Sequence, residues 1–365
     1  MCEKSLLVGS ESGSGWASLP DVCLLHILQF LPDGDRISAI QVCHHWHTVM
    51  VNCPSLWHSC CFHLRGQQAG SRSEYLSTIG YAQPVGVYLK KLEIHVITFY
   101  HYPKMTYLLW RCKFNVRCNE LPCLSRVRAQ LQSFSLIGLA LPQACWTKKL
   151  RTLLFNSVIN FLHRGSVKLT SVSLVNMRTA IDQSWIPSRC HITHLNLEGF
   201  FSSALPVSIN TNVAAVMSAL HHLTDLTLSY SCVSDELLLL DTQENGRPLQ
   251  TLSLYCTVHE PHSQVKWIDS WASLVSNCPD LKVKLTVDHI INRERLMRIL
   301  LPKIPLTEFS MRGFYSYNNN WSGKPLLLEL LLPFSLSLQV SSEHHTLNHT
   351  SISSQWSRWD CDTFS

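Results

Sequence analysis

The sequence predicts an α/β protein: a short N-terminal three-helix module followed by a solenoid of strand-plus-helix repeats bent into a horseshoe. Two observations predict it. Residues 19–57, LPDVCLLHILQFLPDGDRISAIQVCHHWHTVMVNCPSLW, carry apolar residues at helical spacing between Pro, Asp and Gly breaks. From Leu89 onward a six-residue pattern, [Leu/Ile]-x-x-apolar-x-apolar, recurs along the chain. The composition agrees: 365 residues, 46% hydrophobic and 15% charged, hold a small module and a larger domain, each with its own core, and exclude a disordered chain.

Residues 1–15, MCEKSLLVGSESGSG, read as a flexible tail. They contain no apolar stretch long enough for a secretory signal. The late apolar run Pro325 to Phe334 is interrupted by Glu329 and too short to span a bilayer. The 15 cysteines have irregular spacing, which fits buried small hydrophobes and free thiols in a reducing compartment. The expectation is a cytoplasmic or nuclear protein that is not secreted and makes no membrane contact. A net charge of +5 spread over this length does not mark a nucleic-acid binder.

Pro20 suits a first helical turn, where its missing N–H costs nothing. Val22, Leu24, Leu25, Ile27, Leu28, Phe30 and Leu31 follow as a broad apolar stripe, and Pro32-Asp33-Gly34 stops the helix. A second helical segment starts at Asp35 as its cap, with Ile37, Ile40, Val42 and Cys43 apolar; Trp46, Val49 and Met50 continue the pattern, and Asn52-Cys53-Pro54 closes it. Three short helices cannot bury this much apolar surface among themselves. They rest on the following domain as a helical cap, or they leave a patch for a partner.

The order Leu19-Pro20, Ile27-Leu28, Leu31, Asp35-Arg36, Val42-Cys43, Trp46 and Leu56-Trp57 resembles the F-box, and places that module at residues 16–62. The resemblance implies docking on an S-phase kinase-associated (Skp-type) linker protein, a cullin scaffold reached through it, and a RING subunit reached indirectly. Carried over, it makes Leu19, Pro20, Ile27, Leu28 and Leu31 linker contacts, with Val42, Cys43 and Trp46 completing or bracing the surface. The physics would be burial of apolar helix anchors in a groove.

After a connection at 63–88, the repeat pattern starts at Leu89, Leu131, Leu169, Ile192, Leu223, Leu249 and Leu306, with a looser version at Leu281. Its alternating end fits a short strand, and recurrence implies stacking, because one unit cannot bury its apolar face alone. The spacing is uneven and often exceeds the roughly 20–29 residues of leucine-rich repeats, so some units hold longer helices or loops. Val213 to Leu220, Trp267 to Val275 and Arg293 to Leu300 read as amphipathic helices between strands. An ordinary α/β domain with coincidental Leu spacing is the alternative.

In this solenoid, spanning 89–334, residues between the apolar positions face outward on the concave side. That face is polar and rich in hydroxyls. His194, Glu198, Asp225, Tyr255, Glu308 and Arg312 are its candidate target-binding residues, with Tyr255 and Arg312 the better anchors by residue type. The stretches SCVSDELLLL, CTVHEPHSQVKWIDSWASL and NRERLMRILLPKIPL extend a resemblance to F-box receptors over Trp16 to about Pro333. Residues 335–365 depart from it as an irregular Ser-, Thr- and His-rich tail where the resemblance implies further repeats. This fits a shortened or alternatively processed C-terminus.

Nothing in the sequence assembles a catalytic set or a metal or cofactor site. His259-Glu-Pro-His262 misses the HExxH zinc spacing, and Cys112, Cys118 and Cys123 lack paired CxxC spacing. Lys104, Arg111, Lys113, Arg117, Arg126 and Arg128, interleaved with Tyr107, Trp110 and Phe114, read as a solvated basic face, with no nucleic-acid partner. The function expected is a substrate receptor in a ubiquitin ligase, a non-enzyme whose F-box docks the linker and whose repeats hold a protein target. The alternative is an interaction scaffold outside any ligase.

Overall fold

The computed structural model describes residues 15–65, 86–97, 130–138, 156, 158–160, 162–163, 168–177, 191–200, 220–239, 249–257, 268–288, 293–312, 331–334 and 339–343. Within them lie two separate apolar cores.

The first core belongs to three helices, α1 (Asp21–Leu28), α2 (Asp33–Ala39) and α3 (His44–Val51), and the 3-10 turn Pro54–Trp57. Leu24 and Leu28 of α1 meet Ala39, Ile40, Met50, Leu56 and Trp57, all buried. Helix α2 begins at Asp33, not at the Asp35 cap expected from the sequence. The Pro32 carbonyl accepts from the backbone N–H groups of Asp35 and Arg36, both at 3.0 Å, so it organises the first turn in place of a side-chain cap. Cys43 sits between α2 and α3, and its sulfur accepts from the Trp46 backbone N–H at 3.5 Å. The Arg36 guanidinium closes the module by donating to three carbonyls: Leu28 at 3.3 Å, Gln29 at 3.1 Å and Leu56 at 2.9 Å. It thereby satisfies acceptors left over at the end of α1. Trp57 adds an indole N–H donated to the Met50 carbonyl at 2.7 Å.

The second core lies under a ten-stranded sheet in which every pairing is parallel and strand order follows the sequence. The strands are β1 (Ser59–Arg65), β2 (Lys91–Ile97), β3 (Ser133–Gly138), β4 (Ser171–Val175), β5 (His194–Leu197), β6 (Asp225–Ser229), β7 (Thr251–Cys256), β8 (Lys282–Asp288), β9 (Leu306–Arg312) and β10 (Gln339–Glu343). A parallel sheet in chain order is what a solenoid builds, since each coil lays one strand beside the last. Leu89, Leu131, Leu169, Ile192, Leu223, Leu249, Leu281 and Leu306, the leading residues of the repeat pattern, are all buried. Burial then alternates along the strands, as in β3, β4 and β7. Short helices α4 (Asp235–Leu238), α5 (Ile268–Asn277) and α6 (Arg293–Ile299) cover the core, with Trp271 and Leu296 among the buried residues. The predicted helix at Val213 lies outside the described residues except for Leu220.

One device repeats where strands begin. A carbonyl just ahead of one strand accepts two backbone N–H groups from the next coil: His58 from Lys90 and Lys91, Lys90 from Gln132 and Ser133, Gln132 from Thr170 and Ser171, Thr170 from Thr193 and His194. Thr193 and Thr224 continue it in the following coils. The hydroxyls of Thr170 and Thr193 reinforce it, donating to the Gln132 carbonyl at 3.1 Å and the Thr170 carbonyl at 3.2 Å. Backbone groups at the strand entries are thus paired with the preceding coil.

Two strands of the sheet lie outside the predicted repeat span. Ser59–Arg65 forms β1, fully in register with β2, so the sheet begins inside the span assigned to the F-box and its connection. The segment lacks a leading Leu but alternates like a strand. Gln339–Glu343 forms β10 against β9, so the segment after Phe334 is not wholly irregular. An open parallel edge binds backbone, and the strand needs no repeat pattern to pair there.

Candidate functional site

The helical module presents apolar residues outward as well as inward. On α1 the inward pair Leu24 and Leu28 is fully buried, whereas Val22 is 79% and Ile27 39% exposed; Phe30, just beyond the helix, is 73% exposed. Positions 22, 26 and 30 follow the i, i+4 rule and lie along one side. There the His26 ring meets Phe30 edge-on, with centroids 5.2 Å apart. Trp16 (70% exposed) and Val42 (62%) add apolar surface before α1 and after α2. This outward side carries Val22, Ile27 and Phe30 around the polar His26. The helix is covered on one side only.

Polar contacts hold the approach to α1. Trp46 donates its indole N–H to the Trp16 carbonyl at 3.2 Å, and the His45 Nε2 lies 3.2 Å from the Leu19 carbonyl oxygen and 3.5 Å from Asp21 Oδ1. These contacts fasten the segment before α1 to α3.

The predicted linker contacts therefore divide. Pro20, Ile27 and Val42 are exposed, and Leu19, Leu31, Cys43 and Trp46 are half-buried at the rim of the core. Leu28 is a correction: its side chain is completely buried and offers nothing to a partner. Ile27 and Leu28 are neighbours in sequence but a helix turns about 100° between them, so one faces out and the other in. The sequence reading gave no contact role to Trp16, Val22 or Phe30; their apolar type at solvent-facing positions is the signal, and it needs the structure to be seen.

The outward face of the sheet is organised in rows by the parallel register. Ser133, Ser171, His194, Asp225, Thr251 and Lys282 stand side by side across six strands. Ser135, Ser173, Asn196, Thr227, Ser253, Lys284 and Glu308 form the next row. The register brings His194 and Asp225 to 3.2 Å, with the Thr224 hydroxyl donating to the same carboxylate oxygen at 2.7 Å. It also pairs Glu308 with Lys284 at 2.8 Å, a lysine outside the predicted set. Tyr255 stands half-buried between Ser229 and Thr286, and the backbone of Arg312 stands opposite Asp288 and Glu343.

Glu198 departs from the expected placement: it lies in the turn after β5. Its carbonyl accepts from Asn176 N–H at 2.8 Å, and Asn176 and Gly199 both hold left-handed backbone, at φ 58° and 59°. A side chain at Gly199 would meet the Asn176 amide oxygen and take a left-handed backbone that L side chains rarely adopt, so glycine is favoured there. Ser229 and Ser310 are buried; the Ser229 hydroxyl accepts from Gly199 N–H at 3.0 Å.

One polar group was not foreseen. Cys61 of β1 is the register partner of Glu93 of β2, and His95 lies two residues further along β2. Glu93 hydrogen-bonds His95, and Lys91 Nζ lies 3.5 Å from its other oxygen. The hydrogen bond from His95, aided by the positive charge nearby, holds the Glu93 carboxyl below its ordinary value against the opposing effect of partial burial. Strand separation in sequence hides such a group. The His259-Glu-Pro-His262 segment, Cys112, Cys118, Cys123 and the basic stretch from Lys104 to Arg128 lie outside the described residues.

Comparison with known proteins shows what the two parts of this architecture are similar to. Residues 16–63 match the F-box-like family. The chain is similar to the F-box/LRR-repeat protein 21 of Bos taurus, 26% identical over 275 residues covering 73% of this chain and 58% of that protein. It is also similar to the Mus musculus protein of that name, 24% identical over 366 residues covering 96% of this chain and 79% of that protein. The Ovis aries counterpart is 25% identical over 275 residues, covering 73% of this chain and 58% of its own length. The chain thus spans 58% of the bovine and ovine relatives it matches. An F-box-like module joined to a parallel, repeat-built sheet supports an F-box protein with leucine-rich repeats.

Proposed function

We propose that this chain is the substrate-recognition subunit of an SCF-type (Skp–cullin–F-box) ubiquitin ligase. Its three-helix F-box docks on the S-phase kinase-associated linker protein, which carries the cullin scaffold and, indirectly, the RING subunit. Its horseshoe of repeats binds a protein target. Ubiquitin transfer belongs to the other subunits, and this chain works as an adaptor in the cytoplasm or nucleus. Among the described residues, no helix is long and apolar enough to cross a membrane.

The observation that carries the reading is the second, outward apolar side of α1. Val22, Ile27 and Phe30 leave water only when a partner covers them, and burying apolar surface is the dominant favourable term in association. Target binding is assigned to the polar rows of the sheet, around the His194–Asp225 and Lys284–Glu308 pairs and Tyr255. The SCVSDELLLL and CTVHEPHSQVKWIDSWASL stretches resemble those of F-box only protein 39, which supports a receptor role within that group.

A pull-down of the purified chain with the linker and cullin tests this. Capture of the wild type, and its loss in a folded Val22→Ser/Phe30→Ser double variant, is expected. A folded wild type that captures neither contradicts the reading and leaves the alternative, a repeat scaffold outside any ligase. For the target surface, Tyr255→Ala and Arg312→Ala should weaken capture of a target; unchanged affinity in both moves that site elsewhere.

A further inference from the structure

We propose that Cys61, Glu93 and His95 form a binding site for a divalent transition-metal cation, Zn²⁺ being the best fit, that clips the first two strands of the sheet together. The three residues come from adjacent strands whose register sets Cys61 opposite Glu93 and keeps His95 two positions on, a repeat distance that returns to the same face. Their ligand atoms all lie within 4.8 Å of one another, and the three residues are half-buried. Bond lengths of about 2.0–2.3 Å to Zn²⁺ require the Glu93–His95 hydrogen bond to open around the ion while the more distant ligand atoms draw in, both within reach of side-chain rotation.

The donor set selects the ion. Thiolate, imidazole and carboxylate together suit a borderline-soft cation and disfavour Mg²⁺ or Ca²⁺, which take oxygen ligands. Three protein ligands leave a position for water. The Glu93 carboxylate is the only anion in the group at neutral thiol, and Lys91 already lies beside it. Lys91 is 52% exposed and can swing into solvent when a cation enters. Binding then breaks the Glu93–His95 hydrogen bond and deprotonates Cys61 and the ligating imidazole nitrogen, and these protons leave to solvent. The rival state is a metal-free Glu93–His95–Lys91 cluster held by its hydrogen bond and ion pair.

The two states separate on titrating the full chain, reduced and freed of metal with chelator, first with Co²⁺ alone and then with Zn²⁺. The site predicts a thiolate-to-cobalt charge-transfer band with tetrahedral ligand-field absorption, displaced by Zn²⁺, and a raised Tm in Zn²⁺. Cys61→Ser should abolish the charge-transfer band. His95→Ala and Glu93→Gln should each weaken binding by at least about tenfold. Glu93→Gln keeps the shape of the side chain, so circular dichroism on it distinguishes a lost ligand from a lost fold. No band in the wild type, a band that survives in Cys61→Ser, or wild-type affinity in folded Glu93→Gln would overturn the site.

Discussion

The helical module and the sheet handle apolar residues in opposite ways. In the sheet, alternation sends one set of side chains into the core and leaves a face of serines, threonines and paired charges. In the module, α1 is apolar on both sides, and only the Leu24–Leu28 side is used internally. Trp16, Val22, Ile27, Phe30 and Val42 are exposed within residues 16–42, while the other exposed large apolar residues among those described, Val87, Leu239, Met297 and Leu332, are scattered. Single exposed apolar residues are ordinary on protein surfaces; a concentration in one short segment marks a place of association. On the proposed function, the two regions would recognise partners by different physics: burial of apolar anchors in the module, polar and charged matching on the sheet.

The largest effect that can break this comparison comes from the inner side of α1. Leu28→Ala should cost about 2–5 kcal/mol in chemical denaturation, the ordinary range for a buried leucine, whereas Val22→Ser should stay within about 0.5 kcal/mol. Equal losses would mean that the two sides of α1 are not distinct. Next is Arg36→Met, which removes the donor to three carbonyls and should destabilise by roughly 1.5–3 kcal/mol, with the loss detected in the helical transition.

Smaller effects sharpen the description of the sheet. Thr193→Val deletes the hydroxyl bonded to the Thr170 carbonyl while keeping the shape, and should cost about 0.5–1.5 kcal/mol by thermal melting. Lys284→Met breaks the pair with Glu308, whose members are 46% and 39% exposed. It should change stability by no more than about 1 kcal/mol, and less still in high salt. A large loss there would make the pair a structural element and remove it from the target-binding surface.

Much of this architecture was legible in the sequence because a parallel solenoid writes itself as a local pattern. Each leading Leu or Ile of the repeat marks a buried entry to a strand, and the alternation after it gives the outward face. The strands β1 and β10 were missed because HSCCFHLR and SLSLQVSSE carry no leading repeat residue; their neighbours recruit them through backbone bonds. Leu28 was misplaced because a run of apolar residues does not say which side of a short helix meets Trp57 and Met50. The Cys61–Glu93–His95 group was invisible for a different reason: its members meet only through the register of two strands joined by a long connection. Ser229 shows the same limit, since the turn at Gly199 covers a hydroxyl that alternation alone turns outward.

In the proposed receptor the linker docks on the outward side of α1 and not on the polar rows. Calorimetric titration of the Skp-type linker into the full chain tests it most directly, using wild type, Val22→Ser/Phe30→Ser and a row variant, Thr227→Ala/Tyr255→Ala. The account predicts that the first variant loses linker binding while remaining folded, and that the row variant binds the linker as the wild type does. Binding that survives in the α1 variant, or fails in the row variant, would contradict it.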